Sequence, residues 1–224
     1  MALEANNPKV SLAKEDRRVA LWEIASVVTS CLIVEWVVLA FAGKSKLIAA
    51  IPVLLAIGFV LYSHGERGES LRDIGFRIDN FLGACRLLFL PTMLAILLIF
   101  LSAWLMKHSM TVGPRRSRFV LLPLWALFQQ YVLNGFINRR AQLAFGPGTK
   151  SILLVGIVFG LLHLPNPLFA LLTLIGGIIW AATYQRQPDL LALALSHSLV
   201  SLALALILPG NLLNGLRVGF KYFG

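Results

Sequence analysis

Charge-poor apolar runs recur along this chain near residues 20–42, 46–63, 84–106, 118–137, 150–165, 168–184 and 189–208. A hydrocarbon layer about 30 Å thick takes about 20 residues of helix at 1.5 Å per residue, the length of most of these runs. Composition agrees: 58% of the 224 residues are hydrophobic, only 13% are charged, and the mean hydropathy is +0.81. In lipid the backbone must satisfy its own hydrogen bonds, and the runs lack the period-two alternation of a barrel strand. The expected fold is all-α: a polytopic transmembrane helical bundle of seven spans, or eight, forming a single membrane domain over residues 1–224.

The first run carries Ala40-Phe41-Ala42, a small-residue box of the kind that follows a secretory signal. Signal cores run to about 7–15 residues, whereas this run is longer and contains Glu23 and Glu35, so an uncleaved helix is expected. Twelve positions separate the two glutamates. That spacing sets them about 120° apart around a helix, which argues against a shared site. Glu23 is expected at the interface and Glu35 buried and paired. Cys31 and Cys85 lie in or beside different spans with no C-x-x-C spacing, which points to neither a disulfide framework nor a thiolate zinc site.

The net charge of +10 does not imply a nucleic-acid partner, because the basic residues are scattered among connecting loops and tails. Membrane lipid is the expected partner, with basic loops against anionic headgroups. With seven spans, 12 Lys and Arg fall on the side of the N-terminus and 8 on the other, so the positive-inside rule favours a cytoplasmic N-terminus. The longest polar connection, His64 to Asn80, reads as a glycine-rich turn followed by a short interfacial segment at Leu71–Arg77, with His64 as a solvated surface histidine.

Polar side chains within the later spans carry the chemistry. Gln130 and Asn134 are four apart and share a helix face. Counted inward from Arg139, Gln129 and Gln130 lie about 13–15 Å deep. His163 lies about 20 Å from Lys150, and His197 about 12 Å from Asp189. If the spans alternate, all three reference points are on one side, so three helices contribute polar groups to a similar layer. Ionisable residues in a span usually face a bundle interior or a water-filled cavity. Interhelical hydrogen bonding is the competing role, and residues alone leave both open. Gly156 and Gly160 offer a small face for close packing, as do Gly176, Gly177 and Ala181. Pro165 and Pro167 either turn the chain or break the helix.

Phe159-Gly160-Leu161-Leu162-His163, followed by Leu164-Pro165-Asn166-Pro167, resembles the second motif of the CAAX prenyl protease and bacteriocin-processing (CPBP, or Abi) intramembrane proteases. His197 within Ala194–Ser198 resembles the third motif, Leu71–Arg77 resembles a segment upstream in that family, and the likeness extends over residues 70–205. The resemblance implies an intramembrane endopeptidase acting on a peptide or lipidated membrane protein substrate, in an integral protein of the bacterial inner (plasma) membrane. By position it implies a catalytic set of His163, His197, Gln129, Gln130 and Asn134, with Phe159 and Ser201 toward substrate. The family has two glutamates and an arginine where this chain has Gln129, Gln130 and Asn134, and usually asparagine where it has Ser201.

An amide has no useful basicity near pH 7, so a histidine must replace the family's glutamate as base. Two histidines with amides are a poor zinc set, so no metal and no cofactor is assigned. A catalytically silent scaffold that binds a peptide or lipidated segment in the inherited cavity is the alternative. The alternating topology predicts that cysteines introduced beside Arg139 and Arg186 are labelled from the same side of the membrane by an impermeant thiol reagent; labelling from opposite sides would remove the common-depth argument.

Overall fold

A computed structural model describes residues 8–41, 46–108 and 116–224, and among them every regular element is helical. The order is α1 (Pro8–Leu32), a π-helical segment (Ile33–Val38), α2 (Leu39–Phe41), α3 (Lys46–Glu66), α4 (Leu71–Ile74) and α5 (Phe81–Leu105). After these come α6 (Arg116–Gln130), a second π segment (Tyr131–Asn138), α7 (Arg139–Phe145), α8 (Thr149–Leu161), α9 (Pro167–Arg186) and α10 (Leu190–Ile207). A helical stretch thus occupies each apolar run. Four of them, Lys14–Phe41, Phe81–Leu105, Pro167–Arg186 and Leu190–Ile207, are long and apolar enough to cross a membrane, which defines an integral membrane protein of all-α class. The helices Ala50–Glu66 and Thr149–Leu161 are apolar but shorter.

Local chemistry sets the element ends. Ser70 and Asp73 form a reciprocal capping box on α4, which stops at Gly75, where φ is +106° and a side chain would be strained. Gly75 also accepts a hydrogen bond from the Leu190 amide at 2.9 Å, and Tyr184 donates to the Ile74 carbonyl at 2.7 Å, so this connection is fastened beneath α9 and α10. Asn166 and Pro167 start α9, the asparagine side chain accepting from the Phe169 amide at 3.2 Å. Asp189 caps α10 in the same way, through the Ala192 amide at 2.9 Å.

α8 lies along α9, while α10 packs on α5 and α6, and α1 on α7. The α8–α9 crossing needs glycine: a Cβ on Gly156 would sit 2.5 Å from Ile178 Cγ1, and one on Gly177 would sit 3.0 Å from the Gly156 Cα. The small-residue faces are therefore packing surfaces, and the proline pair forms a turn, with α8 ending at Leu161.

Three expectations are corrected. His64 is not a solvated loop residue but lies in the last turn of α3, 4% exposed, with Nδ1 2.6 Å from Glu69 Oε2. Glu23 is buried rather than interfacial. It accepts from Ser63 Oγ and, at 3.0 Å, from Arg67 Nη2, and its Oε2 lies 3.0 Å from Arg140 Nε. Glu35 is half-buried, but its Oε2 has no hydrogen-bond partner among the described residues.

The two arginines expected to close the fourth span are also part of this cluster. Arg140 is fully enclosed, donating from Nη1 to Glu69 Oε1 at 3.0 Å and from Nη2 to Glu69 Oε2 at 2.9 Å, with its guanidinium 4.8 Å from the Phe136 ring centre. Arg139 donates to Glu69 Oε1 from Nε and Nη2, at 2.8 and 2.6 Å. The helix continues past both arginines to Phe145, with Arg139 paired to Glu69 from the turn after α3 and Arg140 to Glu69 and to Glu23 of α1.

Burial pushes the Glu69 carboxyl up, but hydrogen bonds from His64, Arg140 and Arg139 outweigh it and hold the group well below the ordinary carboxylate range. A carboxyl depressed in the folded state contributes stability above its unfolded value of about 4.3 and loses that contribution as pH falls through the folded value. Glu69→Gln removes the negative charge that two arginines share and one of the two acceptor oxygens, and unfolding in detergent should show a loss of about 3–5 kcal/mol at neutral pH that shrinks progressively below about pH 4. A variant as stable as the parent at neutral pH would show the cluster to be energetically idle.

Candidate active site

The central element is the helix that runs unbroken from α6 through the π segment into α7. Its amide side chains recur every four residues, at 130, 134, 138 and 142, and they hydrogen-bond in sequence along one face. Asn138 Nδ2 donates to Asn134 Oδ1 at 2.8 Å, and Asn134 Nδ2 donates to Gln130 Oε1 at 2.6 Å. Gln130 Nε2 then reaches His197 Nδ1 on α10 at 3.2 Å. Gln130, Asn134 and Asn138 are all completely buried. Where the resembled motif has glutamate and arginine, this chain has two neutral amides joined by one short hydrogen bond. An amide pair avoids most of the desolvation penalty that buried charges carry.

Hydrogen-bond polarity fixes which ring nitrogens hold protons. Gln130 Oε1 is occupied by Asn134, so its NH₂ faces His197; Nδ1 accepts, and in the neutral ring Nε2 carries the proton. His163 Nδ1 lies 2.6 Å from the Phe159 carbonyl, which can only accept, so there Nδ1 carries the proton and Nε2 is the acceptor. Neither Nε2 has a hydrogen-bond partner among the described residues, and neither is among the fully enclosed unpartnered polar atoms. The two imidazoles therefore present opposite characters, a donor on His197 and an acceptor on His163.

Aromatic rings set their positions. The Phe159 ring meets both imidazoles edge to face, with centroids 4.6 Å from His163 and 5.8 Å from His197, so the two lie within the sum of those distances of each other. Trp180 stacks on His197 at 4.4 Å and donates from Nε1 to Ser196 Oγ at 3.1 Å, while Phe169 meets His163 edge to face at 4.7 Å. The turn after His163 is held from the other end of the chain. Asn166 Nδ2 donates to the Leu213 carbonyl at 2.7 Å, and the Gly219 amide donates to the Leu164 carbonyl at 2.9 Å.

Of the residues expected to form a site, His163, His197, Gln130, Asn134 and Phe159 meet in this one constellation. Gln129 and Ser201 are half-buried and make no side-chain hydrogen bond to it among the described residues. The structure adds Asn138 and Trp180 to these residues. The four-residue amide spacing was a legible signal for Asn138; nothing in the sequence marks Trp180 as the ring that covers His197. Among the described residues no group of three or more His, Cys, Asp or Glu is placed to hold a metal ion.

An all-helical membrane protein with paired imidazoles backed by an amide chain is the class that fold and site define. The family model for Type II CAAX prenyl endopeptidase Rce1-like proteins matches residues 116–203, which include every residue of the expected site. That match supports the assignment to the CPBP family that the motifs imply, and with it a CAAX protease-like membrane protein. No curated protein and no solved structure matches the chain.

Gln130→Leu leaves the buried donor of Asn134 unpaired, and Asn134→Leu leaves the Gln130 oxygen unpaired; each should cost about 1–3 kcal/mol in detergent unfolding. The double variant removes both orphans and should cost less than the two singles together by about 0.5–3 kcal/mol. Strict additivity would mean that the two amides do not interact.

Proposed function

We propose that this protein is an intramembrane endopeptidase that hydrolyses peptide bonds of membrane-associated or lipidated substrates through a histidine-centred version of its family's site. The observation that carries the reading is the opposite protonation of the two imidazoles. His163 Nε2 accepts a proton from water as the oxygen attacks the peptide carbonyl carbon, and His197 Nε2–H donates to the carbonyl oxygen as negative charge builds there. The tetrahedral intermediate then collapses. The proton on His163 passes to the leaving nitrogen, the C–N bond breaks, and a carboxylate and an amine result. Phe159 provides an apolar wall beside both imidazoles, and in this reading Gln129 and Ser201 contact water or the peptide. Taken with seven spans in a bacterial inner membrane, the excess of basic residues on the N-terminal side favours a cytoplasmic N-terminus.

A second reading, a catalytically silent scaffold that binds a peptide or lipidated segment, is favoured by one observation: among the described residues no Asp or Glu hydrogen-bonds either imidazole.

Peptide cleavage by the purified protein in detergent separates the two. His163→Ala should lower kcat/KM by about 10²–10⁴ and His197→Ala by about 10²–10³. Gln129→Glu, alone or with Gln130→Glu, should raise activity in a pH series that extends into the alkaline range, because it restores a carboxylate base. Cleavage that survives loss of both histidines would refute the mechanism. If neither the parent nor the glutamate variants cleave a peptide library, the scaffold reading stands.

A further inference from the structure

We infer that Asn138, about two helical turns from Gln130, is a positioning residue that sets which nitrogen of His197 carries the proton. The inference rests on the proposed hydrolytic reading only for its catalytic consequence. Its physical basis lies in two backbone groups whose polarity cannot change. The Gly148 amide donates to Gln185 Oε1 at 2.7 Å, which turns the Gln185 NH₂ outward. That NH₂ donates to Asn138 Oδ1 at 2.9 Å, and Gln142 Nε2 donates to the same oxygen at 3.3 Å. Asn138 Nδ2 must therefore face the other way, where Asn134 Oδ1 at 2.8 Å and the Ala181 carbonyl at 3.2 Å both accept from it.

Each amide fixes the next: Asn138 orients Asn134, Asn134 orients Gln130, and Gln130 presents NH₂ to His197 Nδ1. An amide can flip, but one flip in a fully buried chain sets oxygen against oxygen, so the chain has two self-consistent states and its anchored end selects one. A tautomer that a local contact could set equally well is thereby tied to residues on α7, α9 and the turn before α8.

Asn138→Asp tests the coupling with almost no change of shape. Once ionised, its carboxylate cannot donate. Asn134 then flips to donate to it, Gln130 flips in turn, and the Gln130 oxygen faces His197 Nδ1, which must now hold the proton. The experiment is ¹⁵N NMR of the full chain labelled at histidine in detergent, with His197 assigned by its loss in His197→Ala.

The parent should show the protonated nitrogen of His197 at Nε2. Asn138→Asp should move it to Nδ1 at alkaline pH and return it to Nε2 at acidic pH, where the protonated carboxyl donates to Asn134 as the amide did. His163, held by the Phe159 carbonyl, should not change. Asn134→Asp, one step closer, should produce the same exchange and carries the test if Asn138→Asp does not fold.

A parent protonated at Nδ1 of His197, or a folded variant whose tautomer is unchanged at every pH, would overturn the inference. These outcomes do not depend on activity. If the parent cleaves peptides, the tautomer exchange should also lower kcat by about 10²-fold through loss of the donor on His197. If the parent cleaves nothing while the tautomer still exchanges, the coupling stands and the hydrolytic reading fails.

Discussion

A polar group deep in this protein has no bulk water to fall back on, and that constraint governs both of its buried polar systems. Gln130 is completely buried, so both ends of its amide must find partners within the bundle. It finds them in Asn134 on its own helix and His197 on α10. Because each partner has its own requirement, the choice of orientation at one position propagates along the helix until it meets backbone groups at Gly148 and Ala181. The π segment carries two members of this chain, Asn134 and Asn138, in keeping with the tendency of such segments to occur at functional sites.

The second system solves the same problem with charge. At the α3–α7 end of the bundle, Glu23 and Glu69 stand against Arg67, Arg139 and Arg140, and Arg140 is enclosed as fully as any aliphatic side chain. Charges are tolerated where several hydrogen bonds converge on each carboxylate; around the imidazoles only neutral groups donate and accept. This division accounts for the physical character of the departures from the family's first motif. Gln130 and Asn134, standing where the resembled motif has glutamate and arginine, are uncharged and share a hydrogen bond, so neither is stranded.

The helices were legible because apolar runs of spanning length can form little else in lipid, and the meeting of amides and histidines followed from rise per residue together with alternating spans. The turn at Pro165 and Pro167 and the glycine packing faces were legible for the same local reasons. The ion cluster was not. Arg139 and Arg140 look like the polar end of a span, and His64 like part of a loop, until Glu23 and Glu69 are brought to them across separations of up to 117 residues. Such pairings depend on how α1 and α3 sit against α7, and no local pattern encodes that. The directions of the amides were equally hidden, since spacing shows that residues share a face but not which atom each turns to its neighbour.

The contacts of Asn166 with Leu213 and of Leu164 with Gly219 have a consequence in time. The turn that carries His163 takes part of its support from residues translated 47 to 55 positions later. At elongation rates of about 5–20 residues per second, α8 and α9 exist for several seconds before that support emerges. Until then the Asn166 amide and the Leu164 carbonyl must find temporary partners in water or headgroups. The turn that bears the imidazole acceptor thus gains these contacts only after α8, α9 and α10 have been made.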